Sequence, residues 1–311
     1  MLQTALGPHI RGWLADAQVT EVMLNPDGRL WIDRIGTGLA ATGQTIEPAE
    51  GERIVRLAAH HAGQDVHPGA PRVSAELPAG GERFEGLLPP IVAAPSFAIR
   101  KPAGQVFTLA DYTCAGIMSR TQAAALARAV KARSNILVAG ATASGKTTLA
   151  NALLAEIAKL DERVVLIEDT RELQCGAPNV VPMRTRDDVA NLQDLVRSAL
   201  RLRPDRIPVG EVRGAEALEL LKAWGTGHPG GVGTIHAGSA RGALLRLEQL
   251  VQECVVTVPR AMIAETIDLV AVLVRDSSGR RLAELSELRG LDANGDYRLA
   301  APSQASGETT P

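Results

Sequence analysis

A short apolar run, Ile136-Leu137-Val138, opens into Gly140-Ala141-Thr142-Ala143-Ser144-Gly145-Lys146-Thr147-Thr148, and this junction restricts the chain more than any other feature. Gly-x-x-x-x-Gly-Lys-Thr is the spacing of a phosphate-binding P-loop. A strand must enter such a loop and a helix must leave it. The apolar run suits a parallel strand buried on both faces, and Thr148 to Ala158 contains good helix formers with no Gly or Pro. Successive loop N–H groups can close round an anion while the helix presents its positive dipole end. Lys146 then neutralises phosphate charge, and the Thr147 hydroxyl can reach magnesium directly. A nucleotide is the expected ligand.

With 311 residues the chain has room for about two domains with separate cores. Hydrophobic content of 45% and charged content of 22% are those of a soluble globular protein. The formal net charge is −2 and no long basic block occurs, so contact with nucleic acid or an anionic membrane is expected to be absent, local or indirect. Aromatic residues make up 3%, too few for a base-stacking platform. No apolar run approaches the ~18 residues of a membrane span, and Met1 to Asp16 lacks the pattern of a secretory signal, which predicts a cytoplasmic protein without direct membrane insertion. Cys114, Cys175 and Cys254 are far apart and lack C-x-x-C spacing; they read as reduced packing residues.

Hydrophobic patterning predicts an α+β unit over residues 1–103, a connection over 104–118, an α/β domain over 119–300 and a disordered tail over 301–311. In the first unit, Val19 to Asn25 and Leu30 to Asp33 flank the turn Pro26-Asp27-Gly28, a helix begins near Pro48, and strands cover Arg83 to Leu88 and Phe97 to Arg100. Further on, Thr121 to Lys131 reads as a helix before the P-loop strand. Strands at Val164 to Ile167, Arg206 to Val209 and Gly233 to His236 then alternate with helices at Asp188 to Leu200, Ala215 to Trp224 and Ala240 to Glu253. That order predicts a doubly wound, mainly parallel sheet with its ligand at the carboxyl ends of the strands. Val189, Leu192, Leu195, Val196, Ala199 and Leu200 recur at helical spacing as a core face. A last hairpin turns around Ser277-Ser278-Gly279, between Leu269 to Val274 and Leu282 to Leu288.

Two acidic sites follow apolar strands: Glu168-Asp169 after Val164 to Ile167, and Glu211 after Ile207 to Gly210. At strand ends beside a P-loop, Glu168 and Glu211 can hold magnesium through water, and Glu211 is the candidate to orient or deprotonate the attacking water. The bland alternative for each is a helix-capping or loop-surface acid. Thr226-Gly227-His228-Pro229-Gly230-Gly231 and Gly233-Thr234-Ile235-His236-Ala237 add two imidazoles that can hydrogen-bond phosphate or transmit its presence. His236, at a strand end, is the better placed; a satisfied core histidine is the other reading.

Four motifs in this order, the P-loop, IEDTREL at Ile167 to Leu173, RLRPDRIPVGEVRG at Arg201 to Gly214 and TGHPGGVGTIHA at Thr226 to Ala237, resemble the secretion traffic ATPases. In that family they are the Walker A, Asp box, Walker B and His box. The segments GERFEGLLPPIVAAPSFAIRKPA at Gly81 to Ala103 and LLKAWGTGHPGG at Leu220 to Gly231 extend the resemblance to conjugal-transfer members. The resemblance implies a RecA-like P-loop NTPase domain behind a smaller α+β domain, a homohexameric ring, ATP with Mg2+ held between the domains, and work at the base of a type IV secretion or conjugation channel. Its partners would be other channel components at the inner membrane, where it would sit peripherally. On that analogy Gly140 to Thr148 bind the phosphates, Lys146, Glu168, Glu211 and His236 serve catalysis, Asp169 acts through the Asp box, His228 and His236 sense the γ-phosphate, and Arg83 and Arg100 supply cationic contacts. A pilus assembly or retraction motor, and a nucleotide-dependent scaffold without turnover, are the rival readings.

Three departures from the family pattern carry structural expectations. Ala141 and Ala143 stand where the family loop often has glycine; a positive φ at either would cost on the order of 1–2 kcal/mol. Pro208 removes a ladder N–H within the Walker B strand, which predicts a short, bulged or locally unpaired strand. The tetracysteine module of many type II secretion ATPases is missing from the sequence, which points to the conjugative branch.

Overall fold

The computed structural model describes every residue except 79, 103–105, 187–188, 277–278 and 303–311. It resolves two units, Met1–Gln105 and Val106–Pro311. The expected boundary at residue 103, the tip of the final hairpin at Ser277 and Ser278, the helix start at Asp188 and most of the expected tail lie outside the described residues.

The first unit runs α1 (Leu2–Ala5), α2 (Gly7–Ala15), β1 (Val19–Leu24), β2 (Arg29–Arg34), β3 (Gly38–Thr45), α3 (Pro48–His61), β4 (Arg72–Glu76), β5 (Arg83–Leu87) and β6 (Ser96–Arg100). Its strands form an antiparallel sheet in the order β3-β2-β1-β6-β5-β4. One sheet face is apolar, and Ile54, Val55, Ala58 and Ala59 of α3 share a core with Val22, Leu24, Phe84, Phe97 and Ile99. Register brings Arg83 and Arg100 opposite each other and Arg100 opposite Glu21, so all three side chains leave one face. Burial pushes the Glu21 carboxyl up, and the two guanidiniums oppose that shift.

The second unit runs α4 (Leu109–Cys114), α5 (Arg120–Lys131), β7 (Ile136–Gly140), α6 (Lys146–Ile157), β8 (Val164–Glu168), β9 (Val180–Arg184), α7 (Leu192–Ala199), α8 (Glu216–Gly225), β10 (Val232–Ile235), α9 (Ala240–Gln252), α10 (Arg260–Thr266), β11 (Leu269–Asp276), β12 (Gly279–Leu291) and β13 (Tyr297–Ala300). Strand β7 pairs in parallel with β10 and β11, and β12 and β13 continue the sheet antiparallel. Strands β8 and β9 form a separate parallel pair. The segment 206–209 bridges the two groups: the Arg206 and Pro208 carbonyls accept from Val165 and Ile167 of β8, while the Val209 amide donates to Val232 of β10. The expected Walker B strand is therefore reduced to isolated bridges. On the β8 side the ladder misses its step at Val165, where Pro208 has no N–H to give.

Alternate residues of the parallel strands enter two cores. Leu137, Ala139, Val165, Ile167, Val209, Val270 and Val272 face α7, α8, α9 and α10; Ile136, Val138, Val164, Leu166, Ala271 and Leu273 face α4, α5 and α6. Helices thus cover both faces of a mixed α/β sheet, which is why these strands read as continuous apolar runs.

Several expectations need correction. Residues 109–114, read as part of a connection, form a helix with a Thr108–Asp111 capping box whose Leu109 and Tyr112 are buried in the second core. Helix α7 starts at Leu192 because Asn191 and Asp194 make a capping box there. Val189 consequently precedes the helix and is 73% exposed, and Leu200, its C-cap, is 40% exposed rather than core. Cys114 and Cys254 are exposed free thiols, and only Cys175 is partly buried.

Candidate nucleotide site

Residues at the carboxyl ends of β7, β8, β10 and the 206–209 segment converge because these strands run parallel. The loop from β7 to α6 has the backbone of a phosphate cradle. Gly145 has φ +101°, a conformation that favours glycine, and a Cβ at Gly140 would collide with Ser144 and stand 2.6 Å from the Leu273 carbonyl oxygen. The Ser144 hydroxyl is buried without a hydrogen-bond partner, an orphaned donor inside the loop. These features, with the Lys146 and Thr147 donor set, fit a bound phosphate chain and magnesium. Thr142 and Thr148 lie within the same loop-to-helix turn.

Of the two departures from glycine, Ala143 has φ +60° and Ala141 does not adopt positive φ. The substitution Ala143→Gly should relieve about 1–2 kcal/mol of left-handed strain, offset by about 0.4–1 kcal/mol of extra freedom in the unfolded chain. Thermal unfolding is expected to show an unchanged or slightly more stable protein; a loss of stability would contradict this account of the loop.

Lys146 is buried and its ammonium donates to the Ala141 carbonyl at 3.2 Å. The His236 ring lies against it, with Nδ1 at 3.5 Å and Nε2 at 3.4 Å. His236 Nε2 is in turn 2.9 Å from Glu211 Oε1. Lys146, His236 and Glu211, spread over 91 residues of sequence, thus form one chain of polar contacts.

The Asp box separates into three roles. Glu168 is 2% exposed, and its Oε2 accepts the amides of Glu172 and Leu173, both at 2.9 Å. Burial pushes the Glu168 carboxyl up, and those two amides oppose the shift. Asp169 accepts from the Thr185 hydroxyl at 2.8 Å and pairs with Arg213, tying β9 and the stretch after Glu211 to the box. Glu172 is the residue that reaches the P-loop: its Oε2 accepts from the Thr147 hydroxyl at 3.0 Å. Glu172 is not among the residues expected from the sequence, since it lies four positions beyond the strand end at Glu168. No sequence signal marks it: the loop bonded back onto Glu168 is what turns residue 172 toward α6.

His228 is brought elsewhere. It precedes β10, at the opposite end of that strand from His236, and its Nδ1 contacts the Pro204 carbonyl at 2.9 Å. The neighbouring glycines serve packing at this amino-terminal edge. A Cβ on Gly231 would overlap the Trp224 indole, and the Gly230 and Gly231 amides donate to the buried Asn135 side chain at 2.8 and 3.0 Å. Arg206, fully buried, pairs with Glu162 and donates to the Val130 carbonyl at 2.9 Å. Arg83 and Arg100 belong to the first unit.

The second unit therefore has the strand, loop, helix and flanking acids of a P-loop protein. The chain belongs to the family of type II/IV secretion system proteins, whose model matches residues 59–304. It is 48% identical to the probable conjugal transfer protein TrbB of Sinorhizobium fredii, across 96% of this chain and 91% of that one. Identity is also 48% to the conjugal transfer protein TrbB of Rhizobium radiobacter, across 94% and 91%. The pilus retraction motor PilT, solved with bound ADP, has a similar fold at 19% identity, with a TM-score of 0.64 over 96% of this chain and 83% of that one. Among the described residues no helix is long and apolar enough to cross a membrane.

Proposed function

We propose that this protein is an ATPase that energises conjugative transfer through a type IV secretion channel, working as a homohexamer alongside other channel components. The reading is supported by the family, by relatives that are conjugal transfer proteins, and above all by one observation, the Lys146–His236–Glu211 contact chain at the carboxyl edge of the sheet. The helices on both sheet faces support a RecA-like, doubly wound reading of the second unit.

On this reading Lys146 and the loop amides would hold the β- and γ-phosphates, and Thr147, with Glu172 beside it, would hold magnesium. Magnesium, when bound, offsets the negative charge that builds on the phosphate oxygens. Glu211 accepts the proton of the attacking water, and His236 fixes the carboxylate through its ring nitrogen. Glu168 supports the loop that carries Glu172. Asp169 holds the adjoining segments together.

Steady-state phosphate release from ATP by the purified full chain tests the proposal. Release is expected with magnesium and should fall to background when magnesium is chelated. No release under either condition would remove hydrolysis from the reading and favour a nucleotide-binding scaffold.

A further inference from the structure

We propose that Arg280 binds the α-phosphate end of the nucleotide, on the side of the P-loop away from Glu211 and His236. The inference rests on the nucleotide site proposed above and extends it to a residue outside all four sequence motifs.

Arg280 stands near the start of β12, and the sheet order β10-β7-β11-β12 puts it across the P-loop strand from β10 and the 206–209 segment. Its side chain nevertheless returns to the loop. Measured from the point where a Cβ would sit on Gly145, Arg280 Cδ is 3.5 Å away and Nε 3.8 Å. The same guanidinium acts electrostatically on the buried Tyr112 phenol of α4. Arg280 therefore lies beside the second P-loop glycine.

Its backbone is anchored on both sides. Arg280 pairs with Arg275 of β11, and two residues further on the Leu282 amide donates to the Ile117 carbonyl at 2.7 Å while Gln122 Nε2 donates to the Leu282 carbonyl at 3.3 Å. A cation on a strand held this way is positioned more narrowly than one on a free loop.

The two sides of the P-loop then differ in what they can recognise. Lys146, His236 and Glu211 gather on one side, where the terminal phosphate belongs. A phosphate chain that starts there and follows the loop has its nucleoside end on the other side. A planar guanidinium suits the phosphate oxygens at that end through paired N–H donors. Because the α-phosphate is common to ATP and ADP, Arg280 should not distinguish them.

Binding of ATP and ADP to the full chain, measured by calorimetry for wild type, Arg280→Ala, Arg280→Lys and Lys146→Ala, tests this. Arg280→Ala is expected to weaken both nucleotides by the same factor, roughly 10- to 100-fold, and to raise KM for ATP by that factor with little change in kcat. Arg280→Lys should recover part of the loss. Unchanged affinity in Arg280→Ala, with binding lost in Lys146→Ala, would overturn the role of Arg280 alone. A loss much larger for ATP than for ADP would also overturn it, by moving Arg280 to the γ-phosphate. If Lys146→Ala binds both nucleotides like wild type, the nucleotide site itself fails.

Discussion

Glu211→Gln is expected to bind ATP like the wild type and to lose turnover by about 10²- to 10⁴-fold, the range for removing a proton-transfer group. The expectation comes from the 2.9 Å contact between Glu211 Oε1 and His236 Nε2. A glutamine keeps the shape of the side chain and an oxygen that can still accept from the imidazole, but its amide is a poor proton acceptor. An interaction used only in the reaction step lowers kcat without raising the dissociation constant. Fluorescent-nucleotide titration and phosphate release on the same preparation separate the two quantities. Unchanged turnover would transfer the proton to another group, with Glu172 the next candidate from its contact with Thr147. Loss of binding would make Glu211 a structural residue.

Gly231→Ala is expected to destabilise the second unit severely even though residue 231 is far from the phosphate loop. The added methyl would overlap the Trp224 indole, which is buried and whose Nε1 donates to the Ile207 carbonyl at 2.9 Å. Overpacking costs about 1–3 kcal/mol, and a displaced indole also gives up a hydrogen bond worth about 1 kcal/mol. For a domain of this size each kcal/mol lowers the melting temperature by roughly 2–4 °C. Ile207 lies on the segment that ends at Glu211, so turnover should fall together with stability. Thermal unfolding checks the prediction, and an unchanged melting temperature would show that Trp224 has room to move.

Much of this arrangement was legible because the relevant signals are local. Gly145, Lys146 and Thr147 identify the loop by spacing, and the strands that enter the site are apolar runs buried on both faces. Glu211 and His236 were each assigned to a strand end from their motifs, but their contact with one another and with Lys146 required coordinates. The distinction between Glu168 and Glu172 was not legible: it depends on which carboxylate the backbone amides of 172 and 173 capture. His228 misled because its Gly-rich setting resembles a phosphate contact, whereas its ring meets the Pro204 carbonyl and the glycines after it pack on an indole and a buried amide. Strand β9 was hidden by Pro182, which an edge strand paired, among the described residues, with β8 alone can carry. The exposed edge strand β3 lacks the alternation that announces a half-buried strand.

Pro208 has a consequence for how this domain is compared with others. Counted by continuous ladders, the second unit has a sheet of five strands and a separate pair. Its apolar layers run through the gap, since Ile207 and Val209 join the core shared by Val165 and Ile235. One imino acid thus decides whether a topology diagram draws one sheet or two, and a classification built on side-chain layers would group this domain with relatives that a strand count would set apart.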